Sequence, residues 1–468
     1  MKGIHWFRSD LRLEDNASLA CVSRVADEVI PLFVVDDHLV RKLDPTHPRW
    51  IFMLDCLRSL RHSLRATGSD LVVLRGQPAE VICRLCAEHD VALVSWNRDY
   101  SPYAKRRDRD VEDALRNIGV RTQSFKDRVG FEAAEVRKSD GGAFRIFTPY
   151  KRRWRTLLPQ LLYEPGVTVR SRPCPEVKNQ ETQTLAEPHY SSLLELPAAS
   201  ELAAKGRLVE FLQSSVGNYE AHRDYPDRDG TSRLSAYLRF GVISIRTCLK
   251  VAKDALSNDS RLAPGLNAWV DQLIWRDFYH CILDEFPTVL RGPFKAEYAN
   301  IQWDNNETHF RSWCEGTTGY PFIDAAMRQL NRSGWMHNRA RMVVASFLSK
   351  DLLIDWRWGE SYFMARLIDG DPASNNGGWQ WAASTGTDAQ PYFRIFNPTL
   401  QGQKFDPLGG YVKRWVDELA DIPAKNVHYP HQTGVSLADY PMPIVDHKSQ
   451  RLVAIERYKA SRSSPRRG

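Results

Sequence analysis

"EVIPLFVVD" (residues 28–36) is a short apolar run bounded by acids, and runs of the same kind return along the first third of the chain. They are "GIHWF" (3–7), "DLVVL" (70–74), "ALVSW" (92–96) and "VRTQSF" (120–125). Between the middle ones lie "RWIFMLDCLRSLRHSLRATG" (49–68) and "PAEVICRLCAEH" (78–89), which repeat apolar residues at helical spacing and stop near Gly or a charge. Strands alternating with amphipathic helices predict βαβ units on a parallel sheet, Rossmann-like in architecture. No G-x-G-x-x-G follows the first run, so the usual dinucleotide fingerprint is missing, and an α/β fold alone names no function.

Beyond this domain, placed at 1–130, the pattern dissolves. "EPGVTVRSRPCPEVKNQETQTLAEPHYSS" (164–192) carries four prolines among polar residues, and 131–200 reads as an interdomain connection. From 201 to 468 the chain is helix-like, as in "ASELAAKGRLVEFLQSSV", "LNAWVDQLIWRDFYHCILDEF" and "HNRARMVVASFLSKDLLI", which predicts a large all-α carboxy-terminal domain. The final "KASRSSPRRG" reads as a frayed basic tail.

The net charge of +7 suits a polyanionic partner without requiring one, whereas 14 tryptophans point to a ring-shaped ligand. Eight thinly spread cysteines fit a reducing compartment, and Cys83 and Cys86 read as core packing on one helix face. The amino terminus lacks an apolar signal core and no run is long enough to span a bilayer, so a cytoplasmic protein is expected, nuclear in a eukaryote. No metal site is predicted, because His337 has no second His or Cys at coordinating spacing. The basic runs "KRRDRD" (105–110) and "YKRRWR" (150–155) read as solvated faces.

Several segments carry chemistry. In "DGTSRLSAYLRFG" (229–241), Thr231, Ser232, Arg233 and Ser235 stand at a helix start, where hydroxyls and N–H groups can hold phosphate or simply cap the helix. Trp269, Gln272, Trp275, Arg276 and Tyr279 share a helix face that an ordinary core would fill with aliphatics. Asn338, Arg341 and Met342 point one way and Arg339 another. "DGDPASNNGGWQWAASTGTD" (369–388) combines acids, paired amides, a Gly-Gly and a Trp-Gln-Trp, a mixture no single structural rule demands.

"WFRSDLRLEDN", "GTSRLSAYLRFG", "QLIWRDFYH", "GYPFIDAAMRQLNRSGWMHNRARMVVASFLSKDLLIDWRWGESYF", "LIDGDPASNNGGWQWAASTGTDAQPYFRIFNP" and "QGQKFD" together closely resemble the photolyase/cryptochrome flavoproteins, above all the microbial class I cyclobutane pyrimidine dimer photolyases. The resemblance spans nearly the whole chain. It implies an α/β antenna-chromophore domain and a helical catalytic domain that binds FAD. The implied FAD shell is Tyr219, Thr231, Ser232, Arg233, Leu234, Ser235, Trp269, Gln272, Arg276, Asn338, Arg341, Asp369, Asp371 and Asn375. A buried Arg341 needs an anionic partner that Asp369 can supply. Asn375 matches the position facing flavin N5, where a neutral amide favours repair over plant-type signalling. Trp379, Trp356 and Trp303 match the tryptophan relay that reduces the flavin under light.

A dimer inside a duplex must be flipped out to reach a buried flavin. The resemblance implies that Gln272, Trp275, Asn338, Met342 and Trp381 line the lesion pocket and that Arg223, Arg339, Gln401 and Lys404 hold phosphates. Gln272 departs from the dimer photolyases, which usually carry Glu there, while (6-4) photolyases and animal cryptochromes usually carry Gln. Against (6-4) repair, the histidine those enzymes need falls at Met342, which transfers no proton. The expected activity is light-driven repair of pyrimidine dimers in duplex or single-stranded DNA by a monomer. The alternatives are a cryptochrome-like photoreceptor, disfavoured by the short tail, and (6-4) repair. For the antenna, "SWNRDYSPYAKRRD" (95–108) favours 8-hydroxy-5-deazaflavin over methenyltetrahydrofolate.

Overall fold

The structure, a computed structural model, describes residues 1–40, 46–163, 169–177, 195–432 and 439–463. Residues 164–168 and 178–194 of the predicted connection and the end of the basic tail lie outside these residues, while 147–163, also placed in that connection, form a helix. Five strands, β1 (Lys2–Phe7), β2 (Glu28–Asp36), β3 (Val72–Gly76), β4 (Val91–Asn97) and β5 (Arg121–Phe125), form one parallel sheet in the order β3-β2-β1-β4-β5. All five predicted strands are present. β2 is buried from Val29 to Asp36, which is why it reads as an unbroken apolar run. In register, Ile4 of β1 stands between Ile30 of β2 and Val94 of β4.

The strands are joined by α1 (Ala17–Val25), α2 (Pro48–Ala66), α3 (Pro78–His89) and α4 (Pro102–Asn117). Proline opens the last three, where its missing N–H would be unpaired in any case. In α3, Cys86 belongs to the sheet core with Ile82 and Leu85, and Cys83 packs at its margin. Burial pushes the Cys86 thiol up to about 12, so it behaves as a small apolar side chain.

The chain forms two compact units. The first comprises Met1–Ser192, Leu196–Gly217 and Ser232–Pro287, the second Leu193–Glu195, Asn218–Thr231 and Thr288–Gly468. The first therefore holds helices from beyond residue 200: α5 (Phe147–Tyr163) is joined by α6 (Glu201–Ser214), α7 (Ser235–Phe240), α8 (Ile245–Asn258) and α9 (Ala263–Glu285). Buried polar contacts tie them to the sheet domain. Asp277 of α9 accepts from the Gly130 N–H at 2.9 Å and the Trp154 indole N–H at 3.0 Å. Asp127 accepts from both Arg12 and Arg246 of α8. Gly241, in the left-handed region at φ 62°, ends α7 so close to the loop after β1 that a Cβ would lie 2.1 Å from the Ser9 carbonyl oxygen.

The two basic runs are not simply solvated faces. Lys105 pairs with Asp284, Arg107 lies over the Trp6 ring, and buried Asp108 pairs with Arg8. Tyr150 and Trp154 are fully buried, while Lys151 and Arg155 both pair with Asp271 of α9. Charges on a helix face can meet a neighbouring helix as readily as water, and hydrophilicity alone does not separate the two.

In the second unit, α10 (Pro321–Ser333), α11 (Asn338–Ser346), α12 (Trp356–Arg366) and α13 (Pro372–Ala382) surround a core that includes Trp313, Phe322, Met327, Val344, Leu348, Trp356, Phe363 and Trp379. α14 (Pro398–Phe405) follows. Among the described residues no helix is long and apolar enough to cross a membrane, and no group of three or more His, Cys, Asp or Glu could hold a metal ion.

Candidate active site

The predicted site residues divide between the units. In the first, which takes up the chain again at Ser232, the end of the 231–235 segment is not the capped helix start that its hydroxyls suggested. α7 begins at Ser235, and its N-cap is Leu234, which makes no side-chain capping bond. Ser232 Oγ accepts from the Trp269 indole N–H at 3.2 Å, and the Ser232 carbonyl accepts from Arg207 Nε at 3.2 Å. Arg233 is left-handed at φ 50° and Leu234 right-handed at φ −85°. Successive residues of opposite hand turn their N–H groups to one side and form a concavity for an anion. Arg207 had no local signal in the sequence; only the packing of α6 brings it here.

On α9, Gln272 gives its amide Nε2 to the Ala268 carbonyl at 3.4 Å, a weak contact that leaves the amide oxygen available. Trp275 is half-buried and lies flat against Phe147, with centroids 3.7 Å apart. Arg276 donates to the carbonyls of Arg128 and Leu238.

In the second unit, the Ile368 N–H donates to the Gly334 carbonyl at 2.9 Å, which sets Asp369 beside the start of α11. Arg341 there gives Nη2 to Asp369 Oδ2 at 2.8 Å and Nε to the Met336 carbonyl at 2.8 Å, so the ion pair expected on charge grounds is present. Asp369 is buried, and its other oxygen, Oδ1, has no hydrogen-bond partner among the described residues. A buried acceptor left unpaired is costly unless a ligand donates to it. Asp371 caps α13 through the N–H groups of Ala373 and Ser374. Tyr219 is buried, which pushes its phenol up to about 12.

Asn375 gives its amide nitrogen to the Glu360 backbone carbonyl at 3.0 Å. Its side-chain oxygen is thereby left as the group that can accept. Asn376 gives its own amide nitrogen to Glu360 Oε1 and the Val289 carbonyl, both at 3.0 Å, so one residue of α12 anchors two neighbours on α13. Burial pushes the Glu360 carboxyl up to about 7. The paired amides were visible in the sequence; their common anchor was not.

Trp379 and Trp356 are buried in one core and Trp303 packs on it. Trp379 crosses α12 at Gly359 and meets Phe363 and Trp313 edge to face, with centroids 5.0 and 6.0 Å away. Two bonds join the Trp303 segment to the start of α12: Asp304 N–H to the Leu353 carbonyl at 2.7 Å, and Asp355 N–H to Asn305 Oδ1 at 2.8 Å. Trp381 is half-buried against the same core.

Asn338 is exposed at the start of α11 and gives its amide nitrogen to Met342 Sδ at 3.7 Å. Arg339 points elsewhere: it pairs with Asp224 at 2.9 Å and lies 4.2 Å from the Phe405 ring centroid. Lys404 is exposed on α14, Arg223 and Gln401 are half-buried, and Gln401 Oε1 has no hydrogen-bond partner among the described residues.

Residues 3–169 match a family model described as DNA photolyase, and 269–460 match one described as the FAD binding domain of DNA photolyase. The chain is 42% identical to a deoxyribodipyrimidine photo-lyase of Escherichia coli (strain K12), over 98% of each chain. Among solved structures it is similar to a bacterial class III photolyase from Agrobacterium tumefaciens, with TM-score 0.92 and 34% identity over 99% of this chain and 98% of that one. It is also similar to an archaeal photolyase from Sulfolobus tokodaii that was solved with two FAD molecules, with TM-score 0.83 and 34% identity over 98% and 100%. With relatedness of this degree along its full length, the chain belongs to the DNA photolyase family.

Proposed function

We propose that this protein is a deoxyribodipyrimidine photolyase, a carbon–carbon lyase that uses FAD and light to split cyclobutane pyrimidine dimers in DNA. The observation that carries the reading beyond family membership is Asn375: with its nitrogen committed to Glu360, its neutral side chain presents the acceptor that a protonated flavin N5 requires. Two further features suit FAD. The concavity at Arg233 and Leu234 offers N–H groups to a pyrophosphate, and Asp369 Oδ1 awaits a donor such as an imide N–H. When bound and reduced, FAD supplies under blue or near-ultraviolet light the electron that opens the cyclobutane ring and afterwards recovers it.

The chain's own residues do the rest. Arg341 and Asp369 bring a compensated charge pair to the flavin shell, which Tyr219, Thr231, Ser232, Ser235, Trp269, Arg276, Asn338 and Asp371 complete. Gln272, Trp275, Asn338, Met342 and Trp381 receive the flipped lesion, the indoles offering apolar faces to the joined bases. Gln272 can accept from a thymine N–H and donate to a carbonyl. Arg223, Arg339, Gln401 and Lys404 hold phosphates without reading sequence.

The test is loss of the thymine dimer from a defined oligonucleotide under blue light, with a dark control and a (6-4) photoproduct offered in parallel. Normal binding and flavin reduction without dimer splitting sink the assignment; splitting of the (6-4) lesion instead moves it to that class. For the relay, Trp379→Phe should abolish light-driven reduction of oxidised flavin while leaving repair by dithionite-reduced protein near normal. Unchanged photoreduction removes Trp379 from the electron path.

The antenna we favour is 8-hydroxy-5-deazaflavin. The 95–108 stretch that suggests it sits at the carboxyl end of the sheet, where open α/β folds bind ligands. There Tyr103 bonds to Asp36 and stacks on His38 with centroids 4.5 Å apart. An absorption spectrum of protein from its natural host should show a second band besides that of flavin; a spectrum of flavin alone refutes this choice.

A further inference from the structure

The "YKRRWR" run has a partner that the proposed activity leaves unexplained. On α5, Phe147, Lys151 and Arg155 fall at four-residue spacing and share one stripe. On α9, Trp275, Asp271 and Asn267 fall at the same spacing in the reverse order, and the stripes meet rung by rung. Phe147 lies on Trp275 with ring centroids 3.7 Å apart and 9° between planes. Lys151 Nζ is 2.8 Å from Asp271 Oδ2. Arg155 gives Nη2 to Asp271 Oδ1 at 2.7 Å and Nη1 to Asn267 Oδ1 at 3.1 Å.

A flat face-to-face stack is the arrangement free aromatic pairs avoid, because both faces are negative. Here it is imposed and compensated. The Asp271 rungs fix the register of the two helices, and Lys151 Nζ stands 5.7 Å from the Phe147 ring centroid, where a cation draws electron density from the stack. Phe147 is buried and cannot swing away. Trp275 stays half-buried, and Gln272 lies one turn earlier on the same side of α9.

We propose that Phe147, held by the Lys151–Asp271 rung, is a positioning residue for the lesion: it fixes the plane of the Trp275 indole on which a base of the dimer stacks. The inference rests on the reading of Trp275 and Gln272 as lesion-facing residues. A ring held in its binding orientation before the lesion arrives loses no rotamer freedom on contact, so the ladder acts on affinity more than on the photochemical step.

The experiment measures, on FAD-loaded protein in the dark, the Kd for a dimer-containing oligonucleotide and for its undamaged twin. Phe147→Leu should weaken lesion binding about tenfold, as loss of support for a central aromatic contact does. Affinity for undamaged DNA, the flavin spectrum and repair within the saturated complex should stay unchanged. Phe147→Tyr should restore lesion binding, and Lys151→Met, which keeps the ring, should weaken it about threefold. Unchanged lesion affinity in Phe147→Leu, or equal losses on both oligonucleotides, overturns the proposal. If Phe147→Leu does not fold, Lys151→Met decides in the same way. A wild-type protein that binds both oligonucleotides alike overturns the repair reading instead.

Discussion

Asp127→Asn is expected to destabilise the first unit by about 3–5 kcal/mol, the range found when one member of a buried ion pair is removed. Asp127 is almost fully buried and receives Arg12 Nη1 at 3.0 Å and Arg246 Nη2 at 2.7 Å. Asn keeps the shape but leaves two buried guanidinium groups short of a negative charge. Asp15 pairs directly with Arg246 and also acts on Arg12, but it is more exposed than Asp127 and replaces only part of the lost charge. Because Arg12 and Arg246 are 234 residues apart and both bond Asp127, the loss should loosen α8 from the sheet domain as well as lower global stability. Denaturant unfolding should show a lower midpoint, and hydrogen exchange should rise in α8. A change below 1 kcal/mol would mean that Asp15 and the surrounding carbonyls already neutralise the cluster.

The same carboxylate sets a pH signature. Burial alone would raise Asp127, but Arg12 and Arg246 outweigh it and hold the carboxyl below its ordinary value. A folded-state pKa below the unfolded one means the native state holds its proton less tightly. The contribution is therefore complete above the unfolded value of about 4 and disappears as pH falls through the folded one. Wild-type stability should fall more steeply with acid than that of Asp127→Asn, and parallel acid limbs would contradict the assignment.

Gly359→Ala is the second large effect. A Cβ at this position on α12 would lie 2.0 Å from Trp379 Cη2, 2.5 Å from Cζ3 and 2.6 Å from Leu348 Cδ2. Trp379 cannot retreat, because it is buried against Phe363 and Trp313. One added methyl in such a core costs about 1–3 kcal/mol, and a rigid ring facing it places this site at the upper end. The ring must also shift within the relay proposed for Trp379, Trp356 and Trp303. Both melting temperature and light-driven flavin reduction should drop, the latter towards the level of Trp379→Phe. A variant that loses stability but reduces flavin normally would show that the relay tolerates displacement of Trp379.

Much of the site was legible because its residues sit close together along the chain. The 369–388 stretch contains Asp369, Asp371, Asn375, Trp379 and Trp381; the family resemblance placed Asp369 with Arg341 in one shell, charge logic agreed, and the ion pair is present. The hydroxyls of 231–235 were visible, but capping and anion binding need the same residues and the sequence does not separate them; in the structure Ser232 meets Trp269 and no side chain caps α7. Glu360 was passed over because a Glu on an amphipathic helix normally faces water. Its burial comes from Asn375 and Asn376 on a helix that begins twelve residues later.

By itself the sequence determined the alternation of strand and helix, since the period of apolar residues records whether a side chain is buried, and the family, since its motifs span the chain. Which partner a buried or charged side chain meets was decided only in the tertiary structure. Asp127 bridges Arg12 and Arg246, Asp277 accepts from Gly130, and Phe147 stacks on Trp275, across separations of more than a hundred residues. Periodicity reports an average environment, whereas an ion pair or a ring stack depends on the register of two helices, and no local pattern carries that register.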